Sequence, residues 1–190
     1  MTRPLTDTDF ERAAQRLGCQ VAAIKAVAEV ESTGAGFLPS GEPKILFEAH
    51  VFDRLTGGRY RRSHPGLSSA RWDRSLYGAA GQHQHRRLQA AVELDRDAAL
   101  QSASWGRFQI MGFNWRMVGR ASLQDFINAQ YRSEGEHLAD FVGYVLARGL
   151  ADELQRLDWV GFALGYNGPG YAANRYDEKM ARAYARYSQH

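Results

Sequence analysis

The sequence predicts a mainly α-helical protein in which 190 residues form one domain. Apolar residues recur at helical spacing through most of the chain, and a hydrophobic content of 44% is enough for a sizeable core. The helical pattern is broken chiefly between residues 54 and 87, where Gly, Ser, His and Arg predominate. No internal repeat or interdomain linker divides the sequence, so a single domain is expected.

The predicted helices follow one another with short breaks. Thr8 and Glu11 have the spacing of a capping box, and Gly18 ends the helix that follows. A short apolar segment at 45–52 fits either a strand or a helix, and the region 45–85 has room for a small β-hairpin. Helices are expected at residues 8–17, 21–32, 84–103, 122–135, 137–148, 151–164 and 171–187.

Glu31 is a carboxylate on the apolar face of the second predicted helix. At about 100° per residue, Glu31 falls within roughly 20° of Ile24, whereas Glu29 falls on the opposite, solvent-facing side. A carboxyl group on an apolar face loses hydration, which raises its pKa. A general acid that must hold its proton near neutral pH needs this property. Glu31 is therefore a catalytic candidate, with a structural ion pair as the alternative.

The composition excludes several classes of protein. The lone cysteine, Cys19, allows no internal disulfide, and the Cys and His spacing indicates no metal site. No apolar run approaches membrane-spanning length, and the polar N-terminus does not have the form of a signal peptide. Synthesis in the cytoplasm is therefore expected, and no cofactor is implied.

Positive charge is concentrated in one segment. The chain has a net charge of only +3, but residues 54–87 contain eight Arg and one Asp, a local charge of +7. Such a segment favours an anionic partner, such as nucleic acid, a membrane surface or a cell-wall polymer. The last predicted helix, 171–187, is also basic, which fits either contact with anionic lipid or ordinary packing on the domain.

Three short segments carry residues suited to chemistry on sugars. They are Glu-Ser-Thr-Gly-Ala-Gly at 31–36, Ser-Ala-Ser-Trp-Gly-Arg-Phe-Gln-Ile-Met-Gly-Phe-Asn at 102–114, and Leu-Gly-Tyr-Asn-Gly-Pro-Gly at 164–170. Their order resembles that of the lysozyme-like superfamily, which includes goose-type lysozymes and soluble lytic transglycosylases. Within it, segments 26–32, 45–52, 103–112 and 166–168 are similar to the phage endolysin N-acetylmuramidases, over nearly the whole chain.

The resemblance implies a lysozyme-like fold of two lobes with an active-site cleft between them. It implies that the chain is a catalytic domain acting on peptidoglycan. Many members of the family also carry a separate peptidoglycan-binding domain, for which 190 residues are expected to leave no room. It also implies that Glu31 is the catalytic acid, in agreement with its place on the helix. The substrate-binding residues that it implies are Ser104, Gln109, Met111, Tyr166 and Asn167.

Glycoside hydrolysis commonly uses a second carboxylate. Glu48 is the first choice, because it lies in an apolar segment where an uncompensated charge would be costly. The structural alternative for Glu48 is a buried pair with an arginine or with His50. The other candidates for the second carboxylate are Glu42, Asp53 and Asp73.

Three functions compete for this sequence. The first is a muramidase that hydrolyses the β-1,4 bond between N-acetylmuramic acid and N-acetylglucosamine, and the second is a lytic transglycosylase that cuts the same bond without water. The third is a nucleic-acid-binding protein, but Glu29 and Glu31 outnumber Lys25 on the second helix and would be repelled by phosphate.

The expected function is the hydrolase, a phage endolysin that lyses bacterial cell walls. As a monomer it would bind peptidoglycan glycan strands and not nucleic acid. The Arg-rich loop 54–87 and the C-terminal helix would add contacts to the anionic cell envelope. After release from the host cytoplasm, the enzyme would act in the periplasm.

Overall fold

The computed structural model describes residues 4–32 and 34–189 and confirms a mainly helical fold. Its α-helices are α1 (Asp7–Leu17), α2 (Val21–Glu31), α3 (Ala49–Leu55), α4 (Gln82–Val92), α5 (Arg96–Gln101), α6 (Leu123–Arg132), α7 (Glu134–Ala147), α8 (Ala151–Arg156), α9 (Trp159–Asn167) and α10 (Tyr176–Tyr187). Its strands are β1 (Ile45–Phe47), β2 (Ala103–Trp105) and β3 (Ile110–Met111). Short 3-10 helices lie at Arg74–Leu76, Gly112–Asn114 and Pro169–Asn174. Thr33, within the first of the three segments singled out above, lies outside the described residues.

The first helix begins earlier than its sequence pattern predicts. The capping box is formed by Thr6 and Asp9, not by Thr8 and Glu11: the Thr6 hydroxyl accepts from the Asp9 N–H, and the Asp9 carboxylate accepts from the Thr6 N–H. Thr6, like Thr8, is followed three residues later by an acidic residue. A helix that starts after Thr6 is longer and makes more backbone hydrogen bonds. Leu17 at the other end is buried, and Gly18 closes the helix at φ 65°.

Two predicted helices are each divided by an aspartate cap. The predicted helix 84–103 is α4, α5 and the start of β2, because the Asp95 carboxylate accepts from the Ala98 N–H and begins a new helix. The predicted helix 151–164 is α8 and α9, where Asp158 caps α9 by accepting from the Gly161 N–H. Among the described residues, none of the helices combines the length and the apolarity needed to cross a membrane.

The sheet is antiparallel, in the order β1-β2-β3, and joins distant parts of the chain. The apolar segment 45–52 contains both structures that its pattern allowed, because β1 is followed directly by α3. The region 45–85, however, does not hold the predicted hairpin, since β1 pairs with β2 at 103–105. The Gly- and Arg-rich residues 56–80, after α3, lack the alternation of a strand and form turns and a 3-10 helix instead.

The elements fall into two groups that correspond to the two predicted lobes. Helix α2 packs against α1 and α10, and α7, α8 and α9 complete that group. The sheet packs with α3, α4, α5 and α6 in the other group, and the contact between α6 and α7 joins the two. Ile24 and Met180 are fully buried in the first group, as Phe47 and Phe52 are in the second. Glu31 therefore ends a helix of one group, whereas Glu48 lies between β1 and α3 of the other.

A buried polar cluster fixes the chain after α2 against the β2–β3 turn. His137 Nδ1 accepts from the Arg107 backbone N–H at 3.1 Å, and His137 Nε2 donates to the Gln130 carbonyl at 2.8 Å. These partners define the neutral tautomer, and burial lowers the pKa of His137. Glu134 accepts from the Gly36 N–H at 2.5 Å and from the Arg107 guanidinium at 3.0 Å. These hydrogen bonds hold the residues after α2 and the β2–β3 turn in place.

We expect Gly112→Ala to destabilise the fold, because the added methyl group would collide with backbone. A Cβ at Gly112 would meet the Leu100 carbonyl oxygen and lie 2.9 Å from Gln101 Cα. Overpacking of this kind costs about 1–3 kcal/mol, which lowers the melting temperature of a chain this long by several degrees.

Gly66→Ala is the matched control, because a Cβ there meets nothing within 4 Å and its φ lies outside the left-handed region. Thermal unfolding followed by circular dichroism compares the two variants with the wild type. Equal melting temperatures for all three proteins would refute the close approach at Gly112.

Candidate active site

Glu31 and Asn167 meet where two helices end. Glu31 is the last residue of α2 and Asn167 the last residue of α9, and the Asn167 amide donates to Glu31 Oε1 at 2.9 Å. Apolar residues of α2 are buried on the side that Glu31 shares, whereas Glu29 is exposed. The helical arrangement predicted for Glu31 and Glu29 is therefore the observed one.

The surroundings of Glu31 change its acidity in two opposing ways. Burial raises the pKa of Glu31 above the usual range of a glutamate, because the charged form loses hydration. The hydrogen bond from Asn167 opposes this effect by stabilising the carboxylate. Burial has the larger effect, so the carboxyl group holds its proton more tightly than in water.

Tyr166 belongs to an aromatic cluster beside Glu31. Its ring stacks on Phe162 at 5.7 Å between centroids and meets Phe141 and Tyr144 edge-on at 5.4 and 5.7 Å. Burial raises the pKa of Tyr166, and the nearby Glu31 charge adds to that effect. The aromatic cluster thus supplies part of the apolar surroundings in which Glu31 loses hydration.

One face of the sheet collects several of the predicted site residues. Ser104 on β2 lies opposite Leu46 on β1 and Met111 on β3, and directly paired residues point to the same face. Glu48 continues β1 in an extended conformation, two residues after Leu46, and its N–H donates to the Ser102 carbonyl. Alternation along the strand therefore directs Glu48 to the face of Ser104 and Met111.

Gln109 fastens the turn between β2 and β3. Its amide oxygen accepts from the Ser104 hydroxyl at 2.8 Å, and its amide nitrogen donates to the carbonyls of Gly106 at 2.8 Å and Lys44 at 3.4 Å. Its backbone has φ 51°, in the left-handed region that favours glycine. The side chain predicted to lie near substrate is thus bonded to the protein at both ends of its amide.

Glu48 forms a compact polar group with Tyr77 and His50. The Tyr77 hydroxyl donates to Glu48 Oε2 at 2.5 Å, and His50 Nδ1 lies 3.3 Å from the same oxygen. Burial, together with the neighbouring Glu48, raises the pKa of Tyr77 to about 12, so the hydroxyl keeps its proton and remains the donor. A pair with His50 is the structural alternative that the sequence offered for Glu48, and the contact is present. Tyr77 is a second partner of the same carboxylate.

The three alternatives to Glu48 are engaged in local structure. Asp53 is buried and held by Arg61 and Ser68, which lower its pKa. Asp73 caps the 3-10 helix at Arg74–Leu76 through Ser75. Glu42 is hydrogen bonded to the side chains of Ser40 and Gln82. These three carboxylates are held in local structure. Glu48 is also held, by Tyr77 and His50, and it lies on the sheet face of Ser104 and Met111.

Sequence reasoning missed Tyr77, and with it the surroundings of Glu48. Tyr77 is 29 residues away from Glu48, in a segment without periodicity, so no local pattern pointed to the contact. Arg87 lies in the same group: it is buried, donates to the Phe47 carbonyl, and its charge acts on both Glu48 and Tyr77. Across residues 4–32 and 34–189, no group of three or more His, Cys, Asp or Glu side chains is placed to hold a metal ion.

Comparisons with known proteins identify the family of the chain and confirm its fold. The N-acetylmuramidase family model matches residues 20–188. The crystal structure of the Burkholderia AP3 phage endolysin is similar to this chain, with 42% sequence identity and a TM-score of 0.93. The similarity covers 99% of this chain and 73% of the endolysin chain. No curated protein is significantly similar to the chain.

The family model spans most of the chain, and the endolysin has the same fold over nearly the full length of this chain. Both findings agree with the resemblance that the three sequence segments indicated. The chain therefore belongs to the N-acetylmuramidase family and is a peptidoglycan-degrading glycosidase.

Proposed function

We propose that this protein hydrolyses the β-1,4 bond between N-acetylmuramic acid and N-acetylglucosamine, with Glu31 as the general acid. The observation that carries the proposal is the setting of Glu31: a half-buried carboxyl group with a raised pKa, bonded by the Asn167 amide where two helices end. Family membership supports peptidoglycan as the substrate.

In the proposed reaction, Glu31 gives its proton to the glycosidic oxygen as the bond from that oxygen to the anomeric carbon breaks. The leaving sugar departs with the proton, and positive charge develops at the anomeric carbon. Glu31 is left as a carboxylate, which the Asn167 N–H stabilises. Burial favours the protonated form of Glu31, and the amide limits the cost of losing the proton.

Glu48 is the proposed second carboxylate. In an inverting reaction, a water molecule attacks the anomeric carbon and passes a proton to Glu48. In a retaining reaction, Glu48 first bonds to the anomeric carbon, and water then displaces it while giving a proton back to Glu31. Tyr77 and His50 both contact Oε2, so they fix the orientation of the carboxylate. A carboxyl separation of about 5 Å would suit retention of configuration, and one of about 6.5–9.5 Å would suit inversion.

The other predicted site residues have proposed roles in holding the glycan. Ser104 and Met111 share the sheet face of Glu48 and would line the cleft. Gln109 would act near the substrate by holding the shape of the turn that its amide fastens. Tyr166 would wall the site beside Glu31, and Asn167 would touch both the acid and the sugar.

The wider biological role is proposed by similarity to the phage endolysin. The chain would act as a monomeric catalytic domain on the cell wall, after release from the host cytoplasm, and without a metal or cofactor. Nucleic acid is not a proposed partner, because Glu29 and Glu31 of α2 would repel phosphate. The lysine of the same helix, Lys25, already pairs with Asp7 at 2.7 Å. Helix α10 packs on α2, where Arg186 and Tyr187 both bond Glu29, so contact with the anionic envelope would involve its outer face.

Glu31→Gln is expected to abolish release of fragments from purified peptidoglycan while the protein stays folded. The wild type should yield fragments with reducing muramic ends, identified by mass spectrometry. At pH 7 the melting temperature should not fall below that of the wild type, because a raised folded-state pKa means that the ionised carboxylate costs stability above the unfolded pKa.

Glu29→Gln is the matched control, since Glu29 lies two residues away on the exposed side of α2 and should leave fragment release unchanged. If a folded Glu31→Gln protein still releases fragments, Glu31 is not the general acid. Fragments about one water lighter, with anhydro-muramic ends, would make the enzyme a lytic transglycosylase and remove the need for Glu48.

Asn167→Ala is expected to shift the pH dependence of kcat. The reaction needs protonated Glu31, so activity falls as pH rises through the pKa of that group. Loss of the amide donor raises this pKa further, and a hydrogen bond to a charged group is worth enough to move the alkaline limb up by about one pH unit. Asn128→Ala, on the exposed side of α6, serves as control. An unmoved limb, or one shifted to lower pH, would contradict the role of the Asn167 amide.

Binding to intact cell walls is expected to weaken with salt, because exposed arginines of the segment 54–87 supply part of the attraction. Replacing Arg59 and Arg62 together by Gln should reduce the salt dependence in a sedimentation assay with the Glu31→Gln protein. Arg12→Gln on α1 is the control. Salt-independent binding of the parent protein would refute this role for the segment.

A further inference from the structure

Trp72 presents an aromatic ring to solvent next to the proposed site. Its side chain belongs to a residue that is 60% exposed, which is unusual for so large an apolar group. The indole Nε1–H donates to the Tyr77 hydroxyl at 2.8 Å. Since the polar atom of the ring is bonded within the protein, the surface that Trp72 offers to a ligand is its apolar ring.

Hydrogen bonds connect this ring to Glu48. The Tyr77 hydroxyl accepts from Trp72 and donates to Glu48 Oε2, so its hydrogen and a lone pair are both used. The rings of Trp72 and Tyr77 lie 6.4 Å apart between centroids, tilted by 58°. The indole is therefore held in one orientation, a single bridging hydroxyl away from the carboxylate.

The segment that follows Trp72 is tied down by hydrogen bonds. The buried Gln84 amide donates to the carbonyls of Tyr77 at 2.7 Å and Ala79 at 2.8 Å. Asp73 accepts from the Ser75 N–H and hydroxyl at 2.9 and 2.7 Å. Because these bonds are made within the protein, little conformational entropy remains to be lost when a ligand binds the ring.

We propose that Trp72 is a sugar-binding platform, on which one ring of the glycan strand stacks next to the bond that is cut. This inference rests on the proposed function of Glu31 and Glu48. A pyranose ring has an apolar C–H face that fits an aromatic surface, and hydroxyl edges that fit the polar group of Glu48 and His50. Sugar-binding clefts combine aromatic walls with a few placed polar groups in this way.

The charge around Trp72 fits the glycan of peptidoglycan better than a neutral polysaccharide. The exposed arginines Arg71 and Arg74 lie one residue before and two residues after Trp72. The Asp73 carboxylate between them accepts hydrogen bonds from Ser75. Muramic acid carries a lactyl carboxylate, which bears the stem peptide or is free. Two guanidinium groups beside the platform favour a strand that carries carboxylates, free or on stem peptides, through charge-assisted contacts.

The test measures steady-state kinetics of the full chain on soluble glycan strands freed from stem peptides by an amidase. Trp72→Ala should raise KM on the order of tenfold and leave kcat nearly unchanged, because it removes an aromatic contact that ground state and transition state share. Trp72→Phe, which keeps an aromatic ring, should recover most of the loss. Tyr131→Ala removes another exposed aromatic side chain, on α6, and should leave KM unchanged.

Binding to the Glu31→Gln protein gives a second readout. Trp72 is far more exposed than the buried Trp105, so glycan should shift its fluorescence and protect it from acrylamide quenching. That response should disappear in the Glu31→Gln, Trp72→Phe double variant. Melting temperatures show whether a variant has lost its fold. If Trp72→Ala is unstable, the fluorescence response of the double variant tests the platform instead.

Unchanged KM in folded Trp72→Ala, or an intact fluorescence response in the double variant, would overturn the platform and leave the role of Glu31 untouched. Full activity of Glu31→Gln would instead overturn the proposed function. A rise in KM for Tyr131→Ala equal to that for Trp72→Ala would also count against the platform, because the effect would then belong to any exposed aromatic.

Discussion

The hydrogen bond from Asn167 to Glu31 joins parts of the chain that are 136 residues apart, at the ends of α9 and α2. Each helix brings one partner to the junction, and both helices pack against α10. Burying a carboxyl group without a partner would cost free energy that a domain of this size cannot easily spare. The Asn167 amide reduces that cost while leaving the acid weaker than it is in water. With this hydrogen bond, the fold can keep the poorly hydrated carboxyl group of Glu31 at the end of α2.

The loops beside this junction depend on a different kind of interaction. A short chain segment and a tight turn approach His137 so closely that glycine is required at both places. A Cβ at Gly36 would lie 2.6 Å from His137 Nδ1, and one at Gly106 would lie 2.8 Å from His137 Cγ. One glycine in each of the first two segments, Gly36 and Gly106, therefore serves backbone approach to a buried imidazole. Hydrogen bonds to Glu134 and Gln130 then hold the imidazole cluster and the loops together.

Helical periodicity was enough to predict the fold class and the half-buried position of Glu31, because a half-buried face leaves a repeat that can be read within one helix. It failed at Asp95 and Asp158, where a side-chain cap begins a new helix inside an apolar pattern. The pairing of β1 with β2 also escaped prediction, since three-residue strands carry little pattern and their partners are 58 residues apart. Tyr77 is the largest omission, because its contact with Glu48 is made by tertiary packing of a segment without regular structure.

The hydroxyl of Tyr77 imposes a direction on the hydrogen bonds that meet it. The indole N–H of Trp72 can only donate, so the Tyr77 hydrogen has no reason to turn towards it and stays on Glu48 Oε2. If Glu48 takes a proton from water, that proton cannot share the side of Oε2 that Tyr77 occupies. It belongs on Oε1, which makes the two oxygens of one carboxylate unequal. This inequality comes from the Tyr77 hydroxyl, so it remains in place when the Trp72 indole is removed.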